Sequence, residues 1–396
     1  MVATPPHILA AAAHPDPYPF YADLVAHAPL AYDDRCQLWV AASAAAVQEL
    51  LATPHGRVRP LAEPVPGPLL GTPVEAIYRL LVRMRDDPAR QPLKGALATS
   101  LTALSPSLVA ERSAALAERL GPVPEPERAP AWLSSFILRL PVEVVASLLG
   151  APEADLPQVS RQLQELVACL RPGADGETLA RGSAAATALR DYVARLPALS
   201  EPAPGQSAAL RLTGHGAGQQ DAEALVANGV GLLMQSYEAT AGLIGNALVA
   251  LATRPALRAR LRDDPELLYA TLREVLRYDP PIQNTRRYLA SDLQIGRHTL
   301  RAGQEVLVVL AAANRDPEVN PDPARFDPYR EAPRCFTFGL GSHACPGEQL
   351  TLAIAAAAVR YLLAKELDLE QLVATVTYLP LVNARVPRFG VVGPTA

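Results

Sequence analysis

Apolar positions recur along most of this chain at helical spacing, and one run is apolar on nearly every face. Asp221–Ala252 carries its apolar residues all round, which predicts a buried helix. At about 1.5 Å per residue it would reach roughly 48 Å, enough to cross the whole molecule. A second strong helical run begins at Glu348 (EQLTLAIAAAAVRYLLAKEL), built from good helix formers. Further helices are predicted over Ser43–Leu51, Ala131–Leu149, Glu153–Leu170, Glu177–Leu196 and Thr271–Tyr278, with Asp279-Pro280-Pro281 stopping the last of these. The Glu153 and Glu177 helices are amphipathic and suited to a movable pair. Strand-like runs are short and few: Leu30–Tyr32, Leu38–Ala41, and the region DLQIGRHTLRAGQEVLVV that follows Ile282–Ala290. Thr53–Thr72 is a long, proline-punctuated loop, Gly121–Pro130 a surface loop, and Pro197–Gly218 a Gly/Pro/Ser-rich stretch with room for one short helix.

Composition narrows the class. A chain of 396 residues with 49% hydrophobic content can bury a sizeable core. Its net charge of −4 is not the footprint of a nucleic-acid or anionic-membrane partner. Lys94 and Lys365 are the only lysines among 36 cationic residues, so arginine is the default cation and gains no significance by its type alone. Cys36, Cys169, Cys335 and Cys345 are widely spaced without a CxxC pair, which suggests neither a zinc site nor a disulfide framework. The first residues lack a basic segment, and the apolar run Ile8–Ala13 is too short for a leader or a membrane span. A soluble, cytoplasmic protein is expected.

The most informative stretch is Phe338-Gly339-Leu340-Gly341-Ser342-His343-Ala344-Cys345-Pro346-Gly347. Glycines on both sides of a cysteine allow the backbone to fold closely against something flat and bulky. The helix beginning at Glu348 would put free N–H groups beside Cys345 and favour its thiolate. A thiolate on such a loop suits an axial haem ligand. Taken alone, a cysteine is more often a small buried apolar residue. The run Gly339–Ala344 also fits G-x-G-x-x-A, but a dinucleotide turn needs a preceding strand in a βαβ unit, and the sequence upstream is NPDPARFDPYREAPR. The dinucleotide reading is rejected.

The spacing F-G-x-G-x-H-x-C-x-G resembles the haem-binding loop of the cytochrome P-450 family at every motif position. The resemblance runs from about Asp16, where DPYPFY is similar to the family's N-terminal pattern or is simply a turn with core aromatics, and is strongest from Ala224 to Leu363. It implies a mainly α fold with small β-sheets (α+β), a single triangular-prism domain over residues 1–396. Haem b (iron protoporphyrin IX) would lie between the long central helix and the cysteine loop, with Cys345 ligating the iron and Phe338, Gly339 and Gly347 shaping the loop. Arg287 and His343 fall where the family binds haem propionates. Met84–Leu101 is similar to the family's DPPEHTRLRRLV helix, with Arg90 and Lys94 where the family has a His and an Arg. The two stand four apart on one helical face; a solvated basic face is the alternative. Glu274, Arg277 and Arg330 take the places of a structural ion-pair triad.

The central helix departs from the family. Leu232–Ala241 (LLMQSYEATA) is similar to L-L-x-A-G-x-E/D-T-T-A, in which the acid and the next Thr relay protons to bound oxygen. Glu238 keeps the acid, Ala239 lacks the alcohol, and Thr240 points about 100° away. Gln235, i,i+4 from Ala239, can bind a polar substrate group, orient a water, or simply hydrogen-bond the helix. Three functions stay open. The first is a monooxygenase using O₂, a small-molecule substrate, and electrons from a ferredoxin and ferredoxin reductase, tailoring a bacterial secondary metabolite. The second is a peroxide-driven or non-inserting oxidation such as coupling or desaturation. The third is a non-catalytic haem protein that binds a ligand.

Overall fold

A computed structural model describes residues 4–199, 219–261, 264–365 and 367–390. The stretch Pro197–Gly218, expected to hold one short helix, lies almost wholly outside them.

The central helix is Gln219–Ala252, extending the expected one by two residues at its start. Its interior is sheathed by other helices. Ala129–Leu148 packs along one side, burying Leu133, Phe136, Ile137, Leu140 and Val144. That helix is long and apolar enough to cross a bilayer, and 61% of its most apolar window is buried inside the protein. Glu348–Leu363 packs against both the central helix and Pro106–Arg119, with Leu352–Val359 wholly interior. Leu156–Cys169 and Gly176–Leu199 form the expected amphipathic pair, lying against each other and against the central helix; the first is preceded by a 3-10 turn, Glu153–Asp155.

The β component is small. Five strands lie side by side in the order Leu30–Asp33, Leu38–Ala41, Glu305–Val308, Thr285–Leu289 and Gly56–Arg57. The Leu38 and Glu305 strands are parallel, Val40 opposite Leu307, and the other neighbours antiparallel. The Thr285 strand holds Arg287 opposite Val306. Two further two-stranded ribbons complete the β structure among the described residues.

Two buried ion-pair nodes tie the long connections down. Arg277, fully buried, grips Glu274 through Nε and Nη2 at 2.8 and 2.7 Å and donates to the carbonyls of Asn314, Pro323 and Arg325. Arg330 reaches the same carboxylate at 3.4 Å and donates to the Pro321, Asp322 and Arg325 carbonyls. The expected triad thus pins the meander that leads into the cysteine loop. No sequence pattern marks the second node. Asp279 accepts from Arg385 Nε at 2.8 Å and from the Tyr18 hydroxyl, and Arg385 also donates to the carbonyls of Ala12, His14 and Pro15. The DPYPFY segment is therefore more than a turn: it joins the two ends of the described chain.

Candidate active site

The cysteine loop folds on its own backbone before the Glu348 helix begins. Cys345 N–H donates to the Phe338 carbonyl and Gly339 N–H to the Phe336 carbonyl, both at 2.8 Å. Gly339 and Gly341 sit at φ +70° and +64°, the left-handed region that glycine enters without Cβ strain. A Cβ on Gly341 would also lie 3.1 Å from the Leu51 carbonyl. Gly347 N–H points at Cys345 Sγ at 3.3 Å. Phe338 is half-buried against the main core.

The thiol shows two properties that together locate it. Cys345 is exposed to a water-sized probe, yet the surrounding protein pushes its pKa up through desolvation, against the lowering effects of Gly347 N–H, Arg83 and Lys94. A group both accessible and desolvated faces an interior hollow. The helix-end effect expected to favour the thiolate is present but outweighed by burial; a positive metal centre would reverse that balance.

Cations line one side of this hollow. Arg90, only 2% exposed, donates from Nε to the Val82 carbonyl at 2.8 Å and from Nη2 to the Ser342 carbonyl at 2.7 Å. Lys94 donates to the Ser342 and Ala344 carbonyls, the latter at 2.9 Å, so Arg90 and Lys94 share a face as expected and both hold the cysteine loop. His343 joins them: Nε2 donates to Asp86 Oδ1 at 2.8 Å and Nδ1 accepts from Arg90 Nη2 at 3.1 Å. Burial lowers the imidazole's pKa, consistent with this neutral tautomer. Both its ring nitrogens are thus engaged by protein. Arg287, 4% exposed, donates only to Thr285 Oγ1 and its neighbour's carbonyl. Arg57 adds a fourth cation whose buried Nε has no partner among the described residues. Asp86 acts on Arg57, Arg90, Arg287 and His343, and Asp87 acts on Arg90 as well.

The central helix carries a second open surface. Met234, Gln235, Glu238 and Ala239 are half-buried while Ser236, Tyr237, Thr240 and Ala241 are buried, so the first four form one continuous strip not covered by protein. Gln235 Nε2 donates to the Gly231 carbonyl at 3.0 Å and Ser236 Oγ to the Leu233 carbonyl at 2.9 Å. The helix thus satisfies both unusual polar side chains in part, leaving Gln235's amide oxygen without a protein partner among the described residues. Glu238 pairs with Arg171 at 3.4 Å, and burial raises its carboxyl pKa despite that partner. Arg171 follows the Leu156–Cys169 helix, so the pair links the amphipathic helices to the central one.

Comparison with known proteins agrees with this geometry. Residues 208–365 match the family profile described as Cytochrome P450. The cytochrome P450 monooxygenase PikC of Streptomyces venezuelae is 30% identical over 369 residues, covering 89% of this chain and 85% of that protein. The chain belongs to the cytochrome P450 family. A vitamin D(3) 25-hydroxylase of Pseudonocardia autotrophica is 34% identical over 222 residues, 55% of this chain and 53% of that protein; the chain thus spans about half the length of such relatives. The crystal structure of CalO2 superposes with a TM-score of 0.77 at 26% identity, covering 94% of each chain.

The residues present fit the haem that the P450 family implies. The four cations Arg57, Arg90, Lys94 and Arg287 outnumber the neighbouring carboxylates Asp86 and Asp87, which favours a group carrying two carboxylates. Arg57, Asp86 and Arg171 are the site residues that sequence reasoning missed. Asp86 is visible in sequence only as part of the DPPEHTRLRRLV-like helix, and Arg57 and Arg171 carry no signal in an arginine-rich chain. An expected result tests the cradle: Arg287→Leu, and separately the double change Arg90→Leu, Lys94→Leu, lowers the haem-to-protein ratio after gel filtration, because a partly buried propionate left unpaired costs a few kcal/mol. Unchanged occupancy in both would remove these residues from propionate binding.

Proposed function

We propose that this chain acts over its whole length as one cytoplasmic domain, a haem-thiolate monooxygenase. It would insert one oxygen atom from O₂ into a small organic substrate, in tailoring a bacterial secondary metabolite. Electrons would come from a separate ferredoxin and its reductase. The observation that carries the reading is the accessible Cys345 Sγ on a glycine-turned loop that Arg90 and Lys94 hold by its carbonyls. The names of two relatives, a P450 monooxygenase and a vitamin D(3) 25-hydroxylase, support it.

When bound, haem b supplies the O₂ reduction and oxygen transfer. The chain's own residues hold and feed that chemistry. Cys345 would hold the iron through its sulfur, and the Gly347 N–H would moderate the sulfur's charge by its hydrogen bond. Arg57, Arg90, Lys94 and Arg287 would neutralise the propionates. Glu238, whose carboxyl pKa is raised by burial, would serve as the proton donor on the central helix, with Arg171 as its ion-pair partner. Gln235 stands one turn before Ala239, where its amide oxygen can orient a water.

A second reading, peroxide-driven or non-inserting oxidation, is favoured by Ala239 and by Gln235 turning its amide nitrogen back onto Gly231. The deciding experiment measures product and released peroxide with O₂ plus reductase, and with peroxide alone. Under O₂, Glu238→Gln is expected to slow turnover about 10²-fold. Gln235→Ala should lower product per NAD(P)H and raise peroxide release, and Ala239→Thr should be tolerated. Product from peroxide alone, with all three variants unaffected, would establish the second reading, and no product with either oxidant would leave a ligand-binding protein.

A further inference from the structure

Arg83 has no part in the chemistry described so far, and its surroundings give it one. It lies in the single 3-10 turn Val82–Met84, whose backbone is clamped from two directions. From the central helix, Asn228 Oδ1 accepts Val82 N–H at 2.9 Å and Asn228 Nδ2 donates to the Leu80 carbonyl at 2.8 Å. From the cradle, Arg90 Nε donates to the Val82 carbonyl at 2.8 Å. Leu81 is pressed so closely onto the central helix that a Cβ at Gly231 would lie 2.6 Å from Leu81 Cδ2. The side chain of residue 83 therefore springs from a fixed point between the central helix and the cradle.

Its neighbours show what is missing. The chain gives Arg79 a carboxylate in Glu75 at 2.6 Å, and Arg85 one in Asp87 at 2.6 Å. Arg83 has no hydrogen bond or ion pair among the described residues. Its side chain is exposed to a small probe, yet protein crowds it enough to depress its pKa by desolvation. With the Val82 backbone held by Asn228 on one side and Arg90 on the other, its charge is felt at Glu238, at the Cys345 sulfur and at Tyr78. Glu238 has Arg171 as its ion-pair partner. A guanidinium cannot shed its charge, so a desolvated one with no anion is costly until an anion arrives.

We propose that Arg83 receives the carboxylate of an organic-acid substrate and thereby sets which part of that molecule faces the Cys345-ligated centre. The half-buried Met84 beside it, with Met234 on the central-helix strip, suits an apolar body attached to that carboxylate. The proposal rests on the haem-thiolate reading. A porphyrin propionate offers the same chemistry, but the propionate cradle already has the four cations Arg57, Arg90, Lys94 and Arg287, and Arg83 shares neither a hydrogen bond nor a salt bridge with Asp86 beside them. Arg83 acts instead on Glu238 and the thiol.

The test uses the haem-loaded protein with dodecanoate and its uncharged methyl ester as probes, in the parent, Arg83→Gln and Arg83→Lys. Dissociation constants are read from the spectral shift on displacement of the axial water and repeated by calorimetry, and haem occupancy is measured alongside. The parent should bind the acid more tightly than the ester. Arg83→Gln should weaken dodecanoate by roughly tenfold or more, the size of a charge-assisted pair. The ester should change less than twofold, and Arg83→Lys should recover most of the loss. A parent that does not prefer the acid overturns the proposal, as does an equal loss for both probes or no loss for either. Lower haem occupancy in Arg83→Gln with dodecanoate binding intact would also overturn it and assign Arg83 to a propionate. Failure of the haem-thiolate reading would show earlier and separately, as a parent whose carbonyl complex lacks the thiolate absorption.

Discussion

Cys345→Ser is expected to lose the thiolate absorption of the carbonyl complex and all oxygenase turnover while the chain stays folded. The loop that presents residue 345 is held by bonds the substitution does not touch. These are the backbone pairs from Cys345 to Phe338 and from Gly339 to Phe336, and the Arg90 and Lys94 contacts to Ser342 and Ala344. Serine fits the same space, so the cost to stability is small. The chemistry is not conserved: a serine hydroxyl does not ionise near neutral pH and is a poor axial ligand to iron. Nor does another cysteine stand ready. Cys335, ten residues earlier, is packed against the core, and burial raises its thiol. Absorption of the reduced carbonyl complex and product yield check the result. A normal thiolate spectrum in Cys345→Ser would mean that another residue ligates the iron.

Glu274→Leu should cost about 3–5 kcal/mol, the range for removing one partner of a buried ion pair. That is a large part of the roughly 5–15 kcal/mol that keeps a typical domain folded. The change leaves Arg277, fully buried, without a counter-charge. It also removes the acceptor of Asp327 N–H at 2.8 Å and the anchor of Arg330. Because these contacts hold the meander ahead of the cysteine loop, haem retention should fall together with the denaturation midpoint. Asp292→Ala is the control. Its pair with Arg301 is largely exposed on both sides, and solvent screening should leave its midpoint close to the parent's. Equal midpoints for the two variants would show that the Glu274 node does not carry the meander.

Features whose information is contiguous along the chain are legible in the amino-acid order alone. The cysteine loop is one run of ten residues in which glycine, histidine and cysteine spacing is itself the signal. The central helix announces itself by apolar residues on every face, and its start differs from the expected one by two residues. Glu274 and Arg277 share a helical face by their i,i+3 spacing alone. Arg90 and Lys94 share one for the same local reason, and both reach the cysteine loop from it.

Tertiary structure decided what depends on residues far apart in sequence. The helices Pro73–Leu80 and Pro106–Arg119 are absent from the sequence-based expectation, since each follows a stretch with a stronger local signal, the proline-punctuated loop before one and the cationic motif before the other. Asp86 meets His343, Arg171 meets Glu238 and Arg385 meets Asp279 only because the chain brings together positions from 67 to 257 residues apart. No periodicity records such a meeting. The helix terminus beside Cys345 suggests a favoured thiolate, whereas the folded surroundings push the thiol up, since desolvation depends on everything packed around a group and not on its neighbours in sequence. Arg83 is one arginine among many in the sequence, and only the clamp of Asn228, Gly231 and Arg90 around its turn fixes where it stands, with no anion among the described residues as its partner.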